Sequence, residues 1–315
     1  MAGVGNKIEA VDYNNIQSKI ALIMGTGSSD SGYGQSLASS QVVIGNPISV
    51  TQWNNLRTDL VKARQHQTGV AIGTKSPSDV GYVAGADLTV PSSTVKVKEE
   101  DRAAYNAIAD TITLNKLIVP PLSQASRDTL VSSTRSTAWN GTLTHTVTVS
   151  FTDSDAARYF FNSGGQLWIS GSRTGSTAPP GSKNYSWSQM LTNMGIIKFG
   201  YTETTATGNQ SGTVLGYYDL TTSNQLIFEK STEAPTYSPN TYRVYAKLGA
   251  SGTSAIWVTF SIEFRDDSPA PPSPYPGYGI DENVDGTLTS TIESYRSFGA
   301  NVQVALPSVP ANSGI

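Results

Sequence analysis

The chain has no cysteine and only two histidines, His66 and His145, among its 315 residues. Without thiols there is no disulfide, no thiolate nucleophile and no cysteine-bound zinc. Two imidazoles are too few for a multi-histidine metal centre. A Ser-His-Asp relay would need one of them beside a serine on a strained turn, and no Gly-x-Ser-x-Gly stretch exists. Charge is also scarce: 14% of residues are charged and the net charge is −3, so no basic field is available to hold nucleic acid or an anionic membrane. No run approaches 18 apolar residues, and Met1-Ala2-Gly3-Val4-Gly5-Asn6 has neither the charged nor the apolar part of a secretion signal. The expectation is a soluble protein, made in a cytoplasm, with no membrane insertion.

What is abundant is Gly (29), Pro (16), Ser and Thr, the composition of turn-rich β proteins. A length of 315 residues accommodates about two domains. The pattern changes character at Ile118-Val119-Pro120-Pro121-Leu122, which divides the chain into residues 1–120 and 121–315.

Residues 1–120 read as α-rich. Ile8, Val11, Ile16, Ile20 and Ile23 predict a helix over 7–23 with Asp12 as its cap. Gly25–Gly34 is glycine-rich but lacks the Gly-Lys-Ser/Thr ending of a phosphate loop. A self-match follows. Ile8–Ile16 aligns with Ile48–Leu56 at an offset of 40, and a weaker third copy is Glu100–Ile108. Each copy has an aromatic (Tyr13, Trp53, Tyr105), then an Asn, then an aliphatic residue three places after the aromatic. Helix–loop units this short bury no face alone and are expected to stack on one another, as a docking or assembly domain.

Beyond 120 the period becomes two. Residues 142–151 place Leu143, Val147, Val149 and Phe151 on one face and threonines on the other, predicting an antiparallel strand with one wet side. Tyr159-Phe160-Phe161 runs into Asn162-Ser163-Gly164-Gly165, predicting a short helix over 153–162, capped from Thr152, in a packed corner of the β-rich domain. A second helix is expected over 185–194, through Trp187, Met190, Leu191 and Met194. Further strands are expected at 166–171, 196–203, 212–219, 224–230, 241–248, 255–264 and 286–296. Residues 268–279 hold five prolines and predict a stiff arm that crosses to a neighbour. The tail 306–310 is expected to be extended and ordered by a partner surface. The fold class is therefore α+β: an α-rich amino-terminal part, then a mostly antiparallel β-sandwich with two short helices.

Little in the chain carries chemistry. Asp281-Glu282-Asn283-Val284-Asp285-Gly286 matches the first half of a calcium loop, but position twelve is Ile292 and Glu293 falls one place late. A capped turn before a strand and a calcium turn over Asp281–Asp285 both remain open. Asp266-Asp267 and Asp153 with Asp155 are paired acids with no opposing acid for glycosidase work. No catalytic, cofactor-binding or metal-ligating residue is predicted, and the protein is expected not to be an enzyme.

Ala157–Gly165, Trp187-Ser188-Gln189-Met190-Leu191 with Gly195, Tyr217-Tyr218-Asp219-Leu220, and Asp281-Glu282 with Val284–Leu288 resemble segments of virion structural proteins of large tailed phages, especially marine cyanophages. The Tyr-Asn-Asn-Ile and Trp-Asn-Asn-Leu helices are similar to the front part of the same proteins. The resemblance implies a component of the tail, neck or collar, baseplate or fibre attachment, partnered by other virion proteins and located in the virion. A homo-oligomeric ring or trimer is the expected state. The alternatives are a module that stacks exposed aromatics on host-surface glycans, and a capsid decoration protein.

Overall fold

The computed structural model describes residues 8–250, 252–268 and 283–315. The proline arm 268–279, apart from Ser268, lies outside the described residues, as do Asp281 and Glu282. The chain forms two compact units. One comprises Met1–Ser126, Arg158–Gly165 and Arg296–Ala305; the other comprises Arg127–Ala157, Gln166–Tyr295 and Leu306–Ile315. The first thus takes in two short segments from far beyond residue 120.

Three helices build the first, helical unit: α1 (Ala10–Met24), α2 (Val50–Thr68) and α3 (Glu99–Leu114). The repeated aromatics meet at its centre. Tyr13 lies edge-on to Trp53 with ring centroids 5.3 Å apart, and Trp53 edge-on to Tyr105 at 5.2 Å. The aliphatic member of each repeat, Ile16, Leu56 or Ile108, is buried beside them. Stacking of the repeats is thus a packing fact, achieved through the ring edges that aromatic quadrupoles favour.

All three helices start at the same end, because residues 8–11, 48–53 and 97–99 line one groove. Parallel helices of 15, 19 and 16 residues are about 22–29 Å long. The chain must therefore travel back that distance between them, which explains the long segments over 25–49 and 69–98. Neither contains a helix or a regular strand. Side chains of the repeats hold these return segments: Asn14 both donates to and accepts from the Val42 backbone, each at 2.8 Å, and Asn54 donates to the Pro91 carbonyl at 3.1 Å. Buried Asp59 accepts from the Ala38 and Ser39 amides and the Ser39 hydroxyl. Arg57 donates to the Leu88 and Gly73 carbonyls.

Phe160 and Phe161, both fully buried, belong to the segment that counts with the helical unit. They lie on α4 (Ser154–Asn162), capped by Asp153, whose carboxylate accepts from the Ala156 amide; the expected Thr152 cap is one residue off. Arg158 donates to the Thr26 and Ser29 carbonyls, and Asn162 to the Ser29 carbonyl, which ties the segment to the glycine-rich loop. Gly164 has a φ of +85°, and a Cβ there would lie 2.2 Å from the Ile118 carbonyl oxygen. Arg158, Tyr159 and Asn162 thus hold the segment to the 26–34 loop, whereas Phe160 and Phe161 are not among the residues of the core that Tyr13, Trp53 and Tyr105 centre.

The second unit is a β-sandwich. Its strands are β1 (Ala125–Arg135), β2 (Gly141–Ser150), β3 (Gln166–Thr174), β4 (Ile197–Phe199), β5 (Thr204–Ala206), β6 (Gln225–Ser231), β7 (Thr241–Leu248), β8 (Trp257–Asp266), β9 (Thr287–Ser297) and β10 (Ser308–Asn312). One sheet runs β1-β9-β3-β4-β5 and the other β10-β2-β8-β7-β6, with antiparallel pairing in each. Val147 faces Phe260 and Val149 faces Val258 across β2 and β8, so their buried faces coincide. The sheets meet through contacts such as Phe199 edge-on to Phe260 at 5.3 Å. Helix α5 (Lys183–Met194) puts Trp187 against Trp139 and Phe264.

Three expectations change. Strand β1 was not foreseen. The 212–219 strand is absent, and 196–203 shrinks to β4, because Gly216 lies against the Tyr201–Thr202 backbone, where a Cβ would come within 2.5 Å. That close approach replaces a ladder with a packed turn. The tail does not wait for a partner: β10 pairs with β2 of its own chain, Ser308 with Ser150 and Asn312 with Val147.

Candidate functional site

Among the described residues, both histidines and most of the acids that the sequence singled out hold structural bonds. His66 is fully buried; its Nε2 donates to the Ser163 carbonyl at 3.1 Å, its ring stands edge-on to Tyr33, and its Nδ1 has no partner. Burial pushes its pKa down to about 4. His145 is buried between the sheets, with Nδ1 2.8 Å from the Ser290 hydroxyl and Nε2 2.8 Å from Asn312 Oδ1. Burial lowers its pKa also, partly offset by the bond to Asn312. His145 does meet a serine hydroxyl, but Ser290 is fully buried between the sheets and the second imidazole nitrogen meets an amide oxygen, not a carboxylate.

The acids are equally committed. Asp266 forms a buried ion pair with Lys183 at 2.9 Å and Asp267 pairs with Arg265 at 3.0 Å. In the acidic turn, Asn283 accepts from Asn140, the Asp285 carbonyl accepts from Arg173, and Glu293 pairs with Arg127 across β9 and β1. Among the described residues no cluster of three or more His, Asp or Glu side chains is arranged to hold a metal ion. The aromatics are mostly used up as well. Trp53, Trp139 and Trp187 are buried. Trp168 on β3 is stacked by Tyr295 at 4.8 Å and flanked by Arg127 and Lys198.

What remains open is the groove at the shared helix start. It has a volume of about 670 Å³, in the range of ligand-sized pockets. Trp53, at the start of α2, and Ile8 line it, and its wall carries Val11, Ile44, Val50 and Val95, which are 41–78% exposed. Each helix begins with the same device: the third helical residue accepts from the cap amide, Asp12 from Glu9, Gln52 from Ser49 and Asp101 from Lys98. These bonds hold the three entry turns at one level, and the turns 44–48 and 91–97 fill the gaps between them. Glu99 lies at the rim, and its bond to Arg102 holds its carboxyl below the usual range.

The opposite end of the helices is apolar too. Val70, Leu114, Ile118, Val119 and Leu122 are 41–84% exposed there, where α2 and α3 end. Gly69 packs against Pro121, and the buried Tyr33 hydroxyl donates to the Lys116 carbonyl, so this end has a defined shape. Fifteen of the nineteen exposed large apolar side chains of the described chain lie in the helical unit. Nine of the fifteen are the groove and helix-end side chains just named, so they cluster instead of being scattered singly over both units. The linker Ile118–Leu122 was legible as apolar; Val43-Ile44 was not singled out, although an apolar pair set before Gly45-Asn46-Pro47 was the available signal.

A polar cleft of about 600 Å³ beside the groove has its groups paired internally, Ser76 and Thr89 both donating to Asp101. Among the described residues no helix is long and apolar enough to cross a membrane. Comparison with protein-family models, curated proteins and solved structures found no match.

Proposed function

We propose that the protein is a non-enzymatic structural component of a phage virion, assembling as part of the tail, neck or collar, baseplate or fibre attachment. The helical unit is the docking element and the β-sandwich the part that projects or joins a ring. Its partners are other virion proteins and further copies of itself. The observation that carries this reading is the gathering of exposed apolar side chains at the two ends of the helical unit, while the histidines and acids are tied into structural bonds. The resemblance of Ala157–Gly165 and the Tyr-Asn-Asn-Ile and Trp-Asn-Asn-Leu helices to virion proteins supplies the kind of particle.

Mass spectrometry of purified virions is the test. The chain is expected at a fixed copy number, a small multiple of three or six; its absence from virions ends the reading, and hundreds of copies per particle would favour capsid decoration. Glycan recognition has less to stand on, because Trp168 is covered by its own neighbours and Trp257, 39% exposed, is the most open tryptophan. Saturable binding on a glycan array that Trp257→Ala abolishes would establish that alternative.

A further inference from the structure

We propose that copies of this chain join head to tail, with the apolar C-terminal end of one helical unit seated in the groove at the N-terminal end of the next. The proposal rests on the reading of the helical unit as an assembly surface and names its partner as a second copy.

Three observations converge on it. The two apolar surfaces lie at opposite ends of the same three helices, so one molecule offers both halves of a contact that it cannot close by itself. The surfaces differ in shape: one is a concave groove of about 670 Å³, the other carries an extended segment, Ile118–Leu122, in which Pro120 and Pro121 stiffen the backbone (Pro121 φ −65°, ψ 158°). Unlike surfaces meet heterologously, which produces rings or filaments, whereas a two-fold contact would need one self-complementary patch. The groove also carries no net charge against an apolar segment: Glu9 and Glu99 are matched along its lining by Lys96 and Lys98, and Asp12, Glu100 and Asp101 offset the partial positive charge of the helix starts.

The head-to-tail geometry has a test that a two-fold contact fails. Ile44→Asp charges the groove and leaves the other end intact; Leu114→Asp does the reverse. Both positions are more than three-quarters exposed, so each variant should keep the wild-type melting transition. By analytical ultracentrifugation, wild type is expected to form species larger than a dimer. Each variant alone should raise the self-association Kd by more than about tenfold. An equimolar mixture should form a 1:1 heterodimer and nothing larger, since one good end and one good groove remain. If a charged variant unfolds, Ile44→Ser and Leu114→Ser replace it in the same experiment. A wild type that stays monomeric at all concentrations, a variant that associates like wild type, or a mixture without heterodimer overturns the proposal. The protein would still be found in virions by mass spectrometry if only this contact were wrong.

Discussion

The two units solve the same problem with different means. In the sandwich, backbone ladders satisfy the chain, and β8 pairs along its length with β2 and β7. In β8 and the second half of β2 buried positions alternate with open ones, so their apolar faces are kept from water. The helical unit has no ladder. Its return segments hang on individual side chains, Asn14, Asn54, Arg57 and Asp59, and its helices converge on three rings. The difference teaches that a unit held by discrete pins can leave whole helix ends uncovered, whereas a sheet closes its own surface.

The contrast can be broken most directly at its centre. Trp53→Ala should cost about 3–5 kcal/mol, as for other large buried aromatics, and should speed hydrogen exchange in α1–α3 far more than in β7 and β8. Equal loss of protection in both would show that the units do not have separate stabilities. The matching lesion in the sandwich is Lys183→Ala, which strands Asp266 in a site where both side chains are at most 2% exposed. Loss of about 3–5 kcal/mol by denaturant titration is expected, with much of it recovered by Lys183→Met combined with Asp266→Leu.

Acid should act next. His66 is neutral in the folded chain down to about pH 4, while in the unfolded chain it takes up a proton near 6.5. Stability contributed by the neutral ring is therefore full above pH 6.5 and is lost as pH falls toward 4, by about 3 kcal/mol in total. His66→Gln should flatten that part of the pH profile. Asp59→Ala should cost about 1–3 kcal/mol by stranding the amides of Ala38 and Ser39. Smallest of all, Leu114→Ser and Val214→Ser, both 84% exposed, should change stability by no more than about 0.5 kcal/mol, yet only the first should alter self-association.

The helical repeats were readable because aromatic, Asn and aliphatic residues recur in fixed order, and those residue types are the ones that pack and pin. The sandwich was readable from alternation in 142–151 and 255–264. Strand β1 was not: it is Ser/Thr-rich and none of its residues is buried, so it left no apolar period. The placement of Phe160 and Phe161 was also hidden. Local sequence shows that three aromatics must be buried but not that Arg158 and Asn162 beside them fasten to the glycine-rich loop near residue 30. The groove was the hardest to foresee, since it arises from three parallel helix starts and the returns between them.

That parallel arrangement has a consequence for how the chain is made. A unit whose rings come from residues 13, 53 and 105, and which further recruits 158–165 and 296–305, is not complete when its helices leave the ribosome. Its last contributors, Phe298 bonding back to Gln124 and Arg296 to Val304, emerge only after nearly all of the strands. The amino-terminal helices are thus synthesised first and finished last.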